Sequence, residues 1–153
     1  MNSYFQEAFE YDNWAKKKLA GVIIGLGEAP ERANELYAHL LASNHIWQCR
    51  LLNLEPQMQV WEPIPPINWL AQQERNHAQL QEFLKNSPTE RFAETLHYKT
   101  TKGVPFQNTV QGILTHMLTH ANYHMGQINL VLKPVLSPLP DLMYISYERE
   151  PRL

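Results

Sequence analysis

Ile113-Leu-Thr-His-Met-Leu-Thr-His-Ala-Asn-Tyr-His-Met-Gly-Gln-Ile128 carries a histidine at every fourth position, His116, His120 and His124. Residues four apart lie one above the other on a helix, and imidazole is the commonest protein ligand for transition metals. The spacing therefore predicts a helix with metal-binding side chains along one edge. The apolar residues agree, because Ile113, Leu114, Met117, Leu118, Ala121, Met125, Ile128 and Leu132 recur at three- and four-residue intervals, the period of an amphipathic helix. Asn108 with Gln111 three residues later supplies an N-terminal signal, and Pro134 bounds the helix near Lys133.

Three more helices precede this one. Ser3 to about Leu26 is amphipathic, with Phe5, Ala8, Tyr11, Ala15, Leu19, Val22, Ile23 and Leu26 on one broad face and glycines at its end. Pro30 suits the first turn of a second helix, expected to run to Leu54 with Leu36, Leu40, Trp47 and Leu51 at bundle-like intervals and to stop at Glu55-Pro56. Pro56, Pro63, Pro65 and Pro66 then make a stiff connection, since each fixes φ and removes a donor. Asn68 can cap a third helix to about Lys85, with Leu70, Gln73, His77, Leu80 and Leu84 at heptad-like spacing, stopped by Asn86-Ser87-Pro88.

Leu96 to Phe106 alternates apolar and polar residues around Lys102-Gly103, as a short hairpin or ordered loop would. The tail, with Pro138 and Pro140 followed by Asp141 to Tyr147, is apolar enough to dock on the helices. Four long helices with little strand predict an all-α four-helix bundle, with a short hairpin or ordered loop before the last long helix. At 153 residues one domain spanning 1–153 is expected, large enough to bury roughly 70% of the surface of its unfolded chain without a staple.

Composition narrows the function. A net charge of -2 from 13 basic and 15 acidic side chains provides no footprint for nucleic acid. No apolar run approaches the roughly 18 residues of a membrane span. The lone Cys49 cannot form an internal disulfide, and the N-terminus lacks a signal-peptide pattern, so the expected setting is the cytoplasm. With only Arg50 beside it, Cys49 reads as an inert buried thiol.

At about 1.5 Å rise per residue, His116 and His124 lie about 12 Å apart and neighbours in the ladder about 6 Å. One ion takes an adjacent pair, His116 with His120 or His120 with His124, and spacing does not choose. A third ligand is needed, because catalytic zinc usually has three. The second helix supplies His39 and His45, about 120° apart around its axis, and periodicity leaves both open. His77 and His97 have no local partner.

Here the chain resembles a family. His39-x7-Trp47-x2-Arg50 and His120-Ala-Asn-Tyr-His124-Met-Gly126-Gln127 are similar to the two motifs of the DinB/YfiT-like superfamily of metal-binding four-helix bundles, over nearly the full length. The resemblance implies that His39, His120 and His124 ligate one divalent metal. His45, His116 and Gln127 then become neighbours of the site or alternative ligands. Thr119, Tyr123, Met125 and Asn44 depart from the residues usual in those motifs, none of them at a ligand position. Gly126 reads as a point of close helix approach.

Three neutral imidazoles would leave a divalent ion its full charge and an open coordination position, lowering the pKa of bound water or holding a bound thiol as thiolate. Imidazole suits zinc or nickel, with iron and copper as further candidates. The expected function is a metal-dependent transferase using a low-molecular-weight thiol as cosubstrate, since no second carboxylate accompanies the histidines. The alternatives are a metal-dependent hydrolase and a non-catalytic metal-binding bundle. No catalytic residue beyond the metal ligands is assigned. The expected partners are a small-molecule substrate and, by resemblance, a second copy in a homodimer.

Overall fold

The structure, a computed structural model, describes residues 2–151. It is mostly helical: α1 (Asn2–Gly25), α2 (Glu31–Leu52), α3 (Trp69–Asn86) and α4 (Val110–Leu132) form a bundle, joined before α4 by a hairpin of β1 (Thr95–Lys99) and β2 (Pro105–Thr109) and followed by a short α5 (Tyr144–Arg149). Among the described residues no helix is long and apolar enough to cross a membrane. α2 packs chiefly on α4, and α1 on α3.

Helix ends differ from the sequence reading for local reasons. α2 stops at Leu52 because Asn53 turns left-handed, φ 55°, a conformation asparagine tolerates at a C-terminus; Leu54 N–H closes the end on the Cys49 carbonyl. Asn68 makes no side-chain cap and ends a 3-10 turn from Pro66. Thr109, not Asn108, caps α4, its hydroxyl accepting from Gly112 N–H at 3.1 Å. Asn108 instead pairs in the hairpin and accepts from the Tyr98 hydroxyl at 2.7 Å.

The core has two apolar clusters. One gathers Leu19, Ile23, Tyr37, Trp69, Ala121 and Ile128; the other gathers Phe5, Phe9, Leu80, Leu84, Phe92, Ile113 and Met117. Trp69 is buried while Leu70 is exposed; the Trp69 ring lies tilted against Tyr37 with centroids 4.4 Å apart and donates Nε1–H to the Ile64 carbonyl. Between the clusters α3 buries amides: Asn76 donates to the Leu41 carbonyl and accepts from Gln72, while Gln48 donates to the Asn76 carbonyl. Each pairing removes the cost of a buried polar group and fixes the rotation of α3 against α2.

α1 carries a buried ion pair on its inward face. Lys16 Nζ lies 2.7 Å from Asp12 Oδ2, with the two residues 0% and 3% exposed. The pair is incompletely satisfied, since Asp12 Oδ1 has no partner. The tail docks as expected: Tyr11 lies among Tyr144, Tyr147 and Leu142, and Glu150 accepts from Trp14 Nε1 and Lys18 Nζ.

Candidate metal centre

α2 and α4 run antiparallel, so that His39 meets His120 and His124 while Trp47, two turns farther along α2, meets His116. One ring nitrogen from each of His39, His120 and His124 lies within 4.8 Å of the others. Nε2 of His39 and Nε2 of His120 lie 3.2 Å apart. Two nitrogens each about 2.0–2.1 Å from a tetrahedral ion stand about 3.3–3.4 Å apart, so this pair is already at ligand spacing. The wider separations close by a small turn of an imidazole about its side-chain bonds.

The unused nitrogens explain the orientation of the rings. His39 Nδ1 is 2.8 Å from the Val60 carbonyl, which can only accept, so the proton sits on Nδ1 and the Nε2 lone pair is free. His124 Nδ1 is 2.7 Å from Gln127 Oε1, one helical turn on, with the same consequence. Outer partners of this kind set the tautomer and aim of metal-binding histidines. Trp61 lies nearly parallel to the His39 ring with centroids 4.0 Å apart, and the Arg32 guanidinium lies 5.3 Å from the Trp61 ring centroid. The Ser43 hydroxyl, one turn beyond His39, is 3.4 Å from both of its nitrogens.

The electrostatics favour neutral rings. Burial, then the neighbouring His124, His39, His116 and Lys16, pushes the His120 pKa down to about 3. Burial likewise lowers His39, against the opposing pull of the Val60 carbonyl. Both therefore keep their lone pairs at neutral pH, the form a cation needs.

The remaining histidines lie elsewhere. His45 accepts from the Gln57 backbone N–H at 3.1 Å and approaches Cys49 Sγ at 3.5 Å, pinning the Pro-rich segment to α2. His116 stands beside the cluster, its ring 5.4 Å from His120 and 4.9 Å from Trp47. His77 pairs with Glu10, and His97 is exposed on β1. Cys49 is buried, and burial raises its pKa, the state of an unreactive thiol. Gly126 is exposed, and a Cβ there would meet nothing within 4 Å, so it marks no close helix approach. Met125 is buried in the core.

Sequence reasoning missed Val60, Trp61 and Ser43. Ser43 was legible as the residue four beyond His39. An aromatic inside a proline-rich polar stretch was the only signal for Trp61, and a backbone carbonyl such as that of Val60 leaves none.

Gln127 provides a direct test of the outer shell. Gln127→Ala is expected to weaken ion binding about 10- to 100-fold while the helix content stays unchanged, as read by chelator competition and circular dichroism. An affinity within about twofold of the parent would mean that its contact with His124 is only packing.

A family model described as the DinB family matches residues 1–135. Among curated proteins and among solved structures nothing matches.

Proposed function

The chain belongs to the DinB family, and from that premise we propose that His39, His120 and His124 together hold one divalent transition metal, zinc or nickel first, and that the protein uses it to present a small thiol to an electrophile. The observation that carries this reading is the convergence of three imidazoles, two of which have Nδ1 committed to Val60 and Gln127 so that Nε2 faces the common point. A divalent ion held by neutral ligands supplies positive charge and an open position, which favours the thiolate form of a bound thiol.

The chain's own residues supply the rest. The Val60 carbonyl and the Trp61 ring hold His39 still and cover one side of it against water. Ser43 offers a hydroxyl at the same edge. No Asp or Glu joins the histidine group among the described residues, which supports thiol transfer over hydrolysis: attack by water needs a base for its proton, whereas a thiolate has already lost its proton to solvent. In the transfer a sulfur–carbon bond forms, and the leaving group departs with the pair that bound it.

The test is a screen of glutathione-like thiols with a chromogenic electrophile, comparing metal-loaded and chelated protein. A rate that needs both thiol and metal is expected. A metal-dependent rate with an ester or amide and no thiol would establish the hydrolase instead, and full metal occupancy with no turnover would favour a non-catalytic bundle.

A further inference from the structure

Arg50, in the last turn of α2, is a half-buried cation without a counter-charge. Its guanidinium carbon lies 4.2 Å from the ring centroid of Trp47 and 4.6 Å from that of Tyr98. Among the described residues its side chain takes part in no ion pair and no hydrogen bond. Burial lowers its pKa, the mark of a charge that has lost water without gaining a partner.

The contacts have a chemical consequence. Trp47 and Tyr98 meet at 77° with centroids 5.4 Å apart, so they form an aromatic corner around the guanidinium; neither ring offers an in-plane acceptor, and the N–H donors along its edge are left for another partner. That edge is the fork that matches a carboxylate or phosphate with two parallel hydrogen bonds. Tyr98 is held in place by its hydroxyl bond to Asn108 and by the hairpin register, which sets it opposite Phe106.

Arg50 lines a cavity of about 670 Å³ between the end of α2 and the hairpin. Lys99 and His97 also line it, and Glu55 is the only carboxylate among its lining residues. Phe106, 52% exposed, contributes a half-open aromatic wall beside Tyr98. None of the three clustered histidines lines this cavity, although Trp47 bridges toward them through His116.

We propose that this cavity is a binding site for a small oxyanion, a carboxylate or phosphate gripped by the edge of Arg50 with Lys99 as the second charge, whose planar or apolar part lies against Tyr98 and Phe106. The site is separate from the metal centre and does not depend on metal being bound there.

Calorimetric titration of the full chain at low salt with inorganic phosphate, phenyl phosphate and benzoate tests it. Saturable binding of phenyl phosphate or benzoate, tighter than that of inorganic phosphate, is expected; the stronger of the two tells which oxyanion the fork prefers. R50Q should weaken it at least about tenfold, and R50K, which keeps the charge but loses the fork, by a smaller factor. Lys99→Gln on the exposed hairpin gives a second measure that does not disturb the helix, with a loss of about threefold and a shallower salt dependence. The His120→Ala protein should bind the anion as the parent does, whether or not the metal reading holds. Equal binding by the parent and R50Q, no saturable binding below about 10 mM, or loss of binding in His120→Ala would each overturn the proposal.

Discussion

His120→Ala is expected to abolish ion retention: protein purified without a histidine tag should hold about one transition metal per chain, and this variant almost none. His120 Nε2 lies 3.2 Å from His39 Nε2, and its ring lies 4.4 Å from that of His124, so its removal leaves two imidazoles without their common neighbour. Loss of an outer partner alone costs roughly 10- to 100-fold in affinity, and loss of a ligand should exceed about 100-fold. Alanine is the best helix former and His120 is only partly buried, so α4 should persist. Metal analysis with circular dichroism as the control decides the matter, and undiminished occupancy in the variant would remove these residues from the site.

The second large effect is on stability. Lys16→Met should cost about 3–5 kcal/mol, because it strands the Asp12 carboxylate in the core. The urea midpoint should fall by about 2 M at a typical slope of about 2 kcal/mol per molar. Asp12→Leu combined with Lys16→Met should recover most of that loss, since two apolar side chains of similar volume escape the desolvation that the ion pair bears. Asp12 Oδ1 has no partner, so the native pair is itself poorly compensated, and the double variant should stand much closer to the parent than to Lys16→Met. A single-variant loss below about 1 kcal/mol would show that water reaches the pair.

The same residues show what the sequence could and could not reveal. Helix periodicity placed the four long helices, and the proline run placed the gap between α2 and α3, because both follow from local chemistry. Asp12 and Lys16 are four apart and share their side of the helix with Leu19 and Ile23, yet charged residues are so rarely buried that a reading by hydropathy puts them outside. Phe9 was lost from the apolar face for a different reason: α1 is buried over a wider arc than one stripe, and Phe9 shares a core cluster with Leu51 of α2, Leu80 of α3 and Ile113 of α4.

At the histidine cluster, spacing on one helix could not choose between His116 and His124, nor between His39 and His45. Those choices depend on how α2 and α4 cross, a non-local matter. The backbone carbonyl of Val60 and the ring of Trp61 arrive from a segment without regular structure, and no repeat in the sequence announces them. Arg50 was visible as a motif residue, but its aromatic corner requires Tyr98 from a hairpin folded 48 residues away, a separation that only the tertiary structure brings together.

His39 and His120 are 81 positions apart in the chain. An ion shared between them would act as a removable cross-link, closing a loop that spans more than half of the polypeptide, and its binding free energy would add to that of folding. Such a protein would be sturdiest where the metal is plentiful. Under scarcity its native population would shrink, so that the supply of a nutrient would govern how long each molecule survives proteases.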